Sequence, residues 1–136
     1  MSSEFLDTNI LVYAYDASAG QKHRRATELI RELLERDEAA LSIQVLSEFF
    51  NVATRKLKMS GTEAETAVTE FGVATIHAPV HADLVSAVQL FRRYKLDWWD
   101  ALIVASAQAL GCSILWSEDL QHNQHFGSLT IKNPFR

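Results

Sequence analysis

Cysteine is almost missing from this 136-residue chain. Cys112 stands alone, so no intramolecular disulfide can form and no thiolate metal cluster can be assembled from the chain itself. A structural zinc site is therefore not expected, and the neighbours Gly111, Ser113, Ile114 and Leu115 predict a buried, inert thiol at the entrance to a strand. Long apolar runs are absent too. No stretch approaches the ~18 residues that a membrane-spanning helix needs, and the start, Met-Ser-Ser-Glu, has no basic segment ahead of an apolar one. A cytoplasmic protein with no membrane partner is the expectation. Positive charge is also in short supply. The net charge of −4 has the wrong sign for holding long nucleic acid by bulk electrostatics. Basic residues do gather at Lys22, His23, Arg24 and Arg25, at Arg55, Lys56 and Lys58, and at Arg92, Arg93 and Lys95. Each cluster reads as a solvated helix face or helix C-terminus unless they share a rim around a site. Linkers, repeats and low-complexity segments are likewise missing, which predicts a single domain over residues 1–136.

What is present is a regular alternation of short apolar strands and amphipathic helices. Strands are expected at 4–6, 39–43, 73–76, 113–116 and 129–132. Between them, Ile10, Leu11, Val12, Ala14 and Tyr15 predict a brief buried helix, and Ala26, Leu29, Ile30, Leu33 and Leu34 recur at helical spacing over 22–36. Further helices are predicted over 45–57, from a capping box at Thr62-Glu63-Ala64-Glu65, over 81–94 and over 98–110. The last of these is apolar almost all round and should lie buried near the centre. The pattern defines an α/β fold with a mainly parallel sheet of about five strands.

Four acids interrupt this apolar background. Asp7, Glu48, Asp100 and Asp119 lie at or soon after strand ends or beside a loop. Taken singly, most have a structural explanation: Asp7 as a helix cap, Asp119 as the cap of a turn, Asp100 through first-turn amides. Asp97 already suffices as the cap of the last helix, however, which leaves Asp100 without a structural duty. Glu48 shares a helix face with Val45 and Val52, and no basic residue occurs near it before Arg55. Two such carboxylates about 4 Å apart repel by about 4 kcal/mol at an effective dielectric near 20. If the strand ends share one edge of a parallel sheet, the cluster needs a hard divalent cation, Mg²⁺ or Mn²⁺, to offset that repulsion. Metal-assisted phosphodiester hydrolysis is the chemistry such a site supports. Thr8, Asn9 and Ser117 could orient the ligands.

The stretches Phe-Leu-Asp-Thr-Asn-Ile-Leu-Val-Tyr-Ala at 5–14, Ser-Glu-Phe-Phe-Asn at 47–51, Trp-Asp-Ala-Leu-Ile-Val-Ala at 99–105 and Ser-Glu-Asp-Leu-Gln at 117–121 resemble the PIN-domain ribonucleases. More narrowly they resemble the toxin subunits of VapBC toxin–antitoxin pairs, over essentially the whole chain and as far as the terminal Ile-Lys-Asn-Pro-Phe. The resemblance implies a three-layer α/β/α sandwich, Mg²⁺- or Mn²⁺-dependent endoribonuclease activity on RNA, a cognate antitoxin partner and a homodimer. Residue by residue, Asp7, Glu48, Asp100 and Asp119 match the family's four acids in order. Asp7 and Asp100 would be the direct metal ligands, while Glu48 and Asp119 would complete the site through waters or a second ion. Thr8 and Asn9 match the polar residues beside the first acid, and Ser117 the small hydroxyl near the fourth. Asn123 stands where glycine is usual, so the conformation of the 121–124 loop is left open. Phe49 and Phe50 are candidates for an apolar groove that takes an antitoxin helix, with core packing as the alternative.

Three other functions compete. A catalytically silent PIN-like module would bind RNA or protein with the same fold. A phosphatase with an aspartyl nucleophile would need a second acid where Asn9 stands and a lysine near Asp100 or Asp119, and has neither. Histidine catalysis would draw on His23, His77, His81, His122 or His125, of which His122 and His125 lie nearest Asp119 in sequence.

Overall fold

The computed structural model describes residues 2–136; Met1, the first residue of the start discussed above, lies outside them. Six strands form one sheet: β1 (Glu4–Leu6), β2 (Ala39–Ser42), β3 (Thr75–His77), β4 (Ile114–Trp116), β5 (His125–Phe126) and β6 (Leu129–Lys132), in the spatial order β3-β2-β1-β4-β6-β5. All neighbours are parallel except β5, which pairs antiparallel with β6 through His125 opposite Thr130. The expected strand count was about five. The addition is the two-residue edge strand β5, too short to show periodicity and joined to β6 by a turn with Gly127 at a φ of 63°.

Six helices complete the layers: α1 (Thr8–Ala14), α2 (Gln21–Glu35), α3 (Ile43–Arg55), α4 (Gly61–Glu70), α5 (His81–Tyr94) and α6 (Trp98–Ala109). The chain steps from β1 to β2 to β3 in one direction and then returns across the sheet to β4. With right-handed crossovers this puts α1 to α4 on one face and α5 with α6 on the other. The core between them is built from fully buried residues of every layer, including Phe5, Leu41, Phe49, Val104, Leu115 and Ile131. Among the described residues no helix is long and apolar enough to cross a membrane.

Local chemistry sets the element ends. Ser42 caps α3, its Oγ accepting from the Val45 amide at 3.1 Å, so the helix starts two residues earlier than its apolar periodicity predicts. The capping box of α4 falls on Ser60 and Glu63 and not on Thr62 and Glu65: Glu63 N donates to Ser60 Oγ and Ser60 N to Glu63 Oε1. β3 begins at Thr75 because a short 3-10 turn over Phe71–Val73 occupies the residues expected to open it. Asn123 adopts a left-handed φ of 69°, a conformation asparagine tolerates better than most residues, which resolves the 121–124 loop. Cys112 is buried and its thiol is pushed up to about 11 by desolvation, then by Glu4. It is the inert cysteine expected.

Candidate active site

The strand order reverses at β1, whose neighbours β2 and β4 are reached in opposite directions, and the crevice beyond the carboxyl ends of β1 and β4 is where such sheets bind ligands. Asp7 follows β1 directly, and its amide donates to the carbonyl of Trp116 at the end of β4 at 3.0 Å. Ser117 and Asp119 follow β4. Asp100 enters from the first turn of α6, and Glu48 from the middle of α3. A cleft of about 370 Å³ results, with Asp7, Glu48, Asp97, Asp100 and Asp119 among its walls together with Thr8, Asn9, Trp99 and Ile103. The four acids, up to 112 positions apart, therefore share one crevice.

Their environments differ. Asp7 is 6% exposed. Its Oδ1 accepts from the Thr8 amide at 2.7 Å as the N-cap of α1, and its Oδ2 accepts from Ser117 Oγ at 2.8 Å. Capping and membership of the site are thus one and the same placement. Burial lifts the Asp7 carboxyl from 3.8 to about 7; the Ser117 and Thr8 hydrogen bonds oppose the rise, and Asp100 and Asp119 add to it. Asp100 is half-buried and raised to about 6, first by desolvation and then by the charges of Asp97, Asp119 and Glu48. Asp97 Oδ1 accepts from the Trp99 amide, so the cap is filled and Asp100 is left facing the cleft with no hydrogen-bond partner among the described residues.

Asp119 is exposed and is not the cap of a turn. Ser117 Oγ does that work, accepting from the amides of Asp119 and Leu120 at 3.2 and 3.3 Å, while Asp119 Oδ2 accepts from Asn9 Nδ2 at 2.8 Å. Glu48 is half-buried between Gln44 Nε2, at 2.6 Å from Oε1, and Thr8 Oγ1, at 3.2 Å from Oε2. All three polar residues expected to orient the acids, Thr8, Asn9 and Ser117, thus bond to them.

One oxygen each of Asp7, Asp100 and Asp119 lie within 4.8 Å of one another, and Glu48 stands outside that trio. An all-carboxylate set of this spacing, with one member buried and raised in pKa, suits a hard divalent cation and no soft one. Glu118, next to Asp119, is an acid of another kind. It takes a hydrogen bond from Tyr13 Oη at 2.6 Å and a salt bridge from Lys22, which outweigh its burial and hold its carboxyl below the ordinary range. His122 and His125 stand away from the cleft: Nδ1 of the first accepts from the Asn133 amide, and that of the second pairs with the Thr130 hydroxyl.

Two residues of the cleft were not anticipated in this role. Asp97 reads in sequence only as a helix cap. Trp99 reads as buried beside Asp100, yet it is 58% exposed, because the apolar character of α6 is carried inward by Ala101 and by Ile103–Ala107. Phe49 also departs from one expectation: it is fully buried against Phe71 with a centroid spacing of 5.7 Å, and only Phe50 reaches the surface.

Residues 5–125 match the family model of the PIN domain, and the chain belongs to that family. Solved structures share the fold at low identity. The Mycobacterium tuberculosis toxin VapC20, described as cleaving the sarcin-ricin loop, superposes with a TM-score of 0.69 at 18% identity, over 86% of this chain and 90% of its own. A chain of a toxin–antitoxin complex from Klebsiella pneumoniae gives 0.72 at 21% identity, over 97% and 98%. A chain of the DNA-bound VapBC complex from Salmonella typhimurium gives 0.71 at 16% identity, over 98% and 99%. No curated protein matches the chain by sequence.

Proposed function

We propose that this chain is a divalent-cation-dependent endoribonuclease, the toxin of a type II toxin–antitoxin pair. The observation that carries the reading is the convergence of Asp7, Asp100 and Asp119 at the switch point of a PIN-domain sheet. Asp7 and Asp100 are the proposed direct ligands of Mg²⁺ or Mn²⁺, with Asp119 in reach of the same position and Glu48 holding water at its margin. When bound, such a cation supplies an activated water and stabilises charge on the phosphoryl oxygens. The chain's own part is to hold the acids in place. Thr8 N and Ser117 Oγ fix both oxygens of Asp7, Asn9 fixes Asp119, and Gln44 with Thr8 Oγ1 fix Glu48. Because Asp7 and Asp100 titrate near 7 and 6, cation binding must displace protons from them and strengthens as pH rises.

The fold likeness to toxin chains supports a cytoplasmic protein of one domain that acts on RNA and is silenced by an antitoxin. An apolar groove of about 490 Å³ beside Tyr15, Ile30, Leu34 and Phe71 would receive the partner. It opens at the C-terminal end of α1, roughly 10 Å along that helix from Thr8. Homodimerisation is part of the same proposal, supported by the exposed stripe of Leu84, Val88 and Phe91 on α5.

Incubation of the purified protein with RNA, with Mg²⁺ or Mn²⁺ or with a chelator, separates a nuclease from a silent binding module. Cleavage that needs the cation and disappears in Asp7→Asn and Asp100→Asn is the expected result. Full activity in both variants, or none in the parent with either cation, rejects the reading.

A further inference from the structure

We propose that Trp99 is a base-stacking platform that holds an unpaired nucleotide of the RNA beside the bond to be cut; the inference rests on the nuclease reading above. The cleft lining contains no lysine or arginine, and the chain as a whole carries a charge of −4. Apart from the one phosphate that a bound cation would take, RNA gains little from charged side chains of this lining, and non-ionic contact is left to hold the neighbouring nucleotide. Trp99 is the one aromatic residue in that lining. Its neighbour Trp98 is turned inward, half-buried and edge-on to Phe91 at 6.0 Å. Trp99 has no aromatic partner among the described residues, and 58% of its surface stays open to solvent. Its backbone is nevertheless pinned, the amide donating to Asp97 Oδ1 at 3.0 Å, and Ile103, one helical turn on, continues the apolar wall of the cleft.

A broad apolar ring held immediately before Asp100 in sequence is placed to take the face of a base next to a phosphate at the carboxylates. Bases in a duplex are already stacked and their faces closed, so the platform selects RNA that is single-stranded at the cleavage position. Stacking of this kind tolerates any base, so it sets the conformation of the substrate and not its sequence.

The test uses a fluorescently labelled single-stranded oligoribonucleotide that the parent cleaves, with Trp99→Ala, Trp99→Leu and Trp99→Phe. Loss of one stack raises KM by roughly ten- to hundred-fold in the Ala and Leu variants, leaves kcat within about three-fold, and is largely rescued by Phe. An abasic nucleotide flanking the cut bond penalises the parent by a similar factor and adds little in Trp99→Ala. Parental KM in both Ala and Leu variants overturns the proposal, as does an abasic penalty that is the same with and without the ring. So does a Trp99→Ala protein that loses only its grip on a protein partner. Fluorescence anisotropy of the same oligonucleotide in Ca²⁺ reads the stack without cleavage. A parent that binds RNA in Ca²⁺ but cuts none in Mg²⁺ or Mn²⁺ rejects the nuclease reading, whereas unchanged affinity in Trp99→Ala rejects the platform.

Discussion

Asp7→Asn is expected to remove activity and yet to stabilise the metal-free protein at alkaline pH. The rise of the Asp7 carboxyl from 3.8 to about 7 corresponds to about 4 kcal/mol of preference for the neutral form. Below its unfolded value the group is protonated in both states and no penalty exists. Between about 4 and 7 the folded chain holds a proton that the unfolded chain has released, so stability falls as pH rises, and above about 7 the whole penalty applies. Asparagine keeps the shape and can still accept from the Thr8 amide. Against this, Ser117 Oγ already accepts two backbone amides, so it would meet a third donor in place of its carboxylate acceptor, at about 1–2 kcal/mol. The net gain at about pH 8 is then about 2–3 kcal/mol, a rise in Tm of about 8–12 °C for a chain of this length. Thermal melts of parent and variant with chelator should show this gap at about pH 8 and near-coincidence at about pH 4.5. Mg²⁺ at about a hundred times its Kd should add about 2.7 kcal/mol to the parent and close the gap. A variant no more stable than the parent at alkaline pH, or a gap indifferent to pH, refutes the buried-carboxylate account.

Asp100→Asn should abolish cation-dependent cleavage by at least about a hundred-fold, with a smaller stabilisation than Asp7→Asn because Asp100 is less buried; cleavage assays paired with melts check both. Ser117→Ala strips the buried amide of Leu120 of its acceptor and Asp7 of a donor. It should lower stability by about 1–3 kcal/mol in denaturant melts and raise the Mn²⁺ concentration needed for half-maximal activity. Ser60→Ala removes half of the α4 capping box far from the cleft. It should lower stability by about 1 kcal/mol while kcat and KM stay at parental values, and a change in activity would point to coupling that the fold does not suggest.

Most of the fold was legible because its signals are local. The period of the apolar residues located α2, α5 and α6, and the short apolar runs located β1 and β6 at their observed bounds. What failed was also local, but weaker than the tertiary context. Ser60 competes as a cap with Thr62, and Ser42 falls inside the run that reads as a strand, so only the packed backbone decides which hydroxyl meets an amide. β5, at two residues, has no period to detect and exists through its pairing with β6. At the site, acids inside apolar sequence were conspicuous, since an unpaired carboxylate there is costly. Trp99 was not, because an aromatic residue in an apolar helix reads as core unless its azimuth relative to the sheet is known.

The residues alone determined the PIN-domain membership, the alternation of strands and helices, and which four acids to watch, since these depend on residue type and spacing along the chain. Only the tertiary structure decided how those acids group. The crossing from β3 back to β4 brings Asp119 beside Asp7, and the start of α6 swings Asp100 to the same point. Glu48 is held apart by Gln44 and Thr8. Distance between charges, and the burial that lifts one carboxyl to about 7 while leaving its neighbour exposed, are properties of packing and have no counterpart in the order of residues.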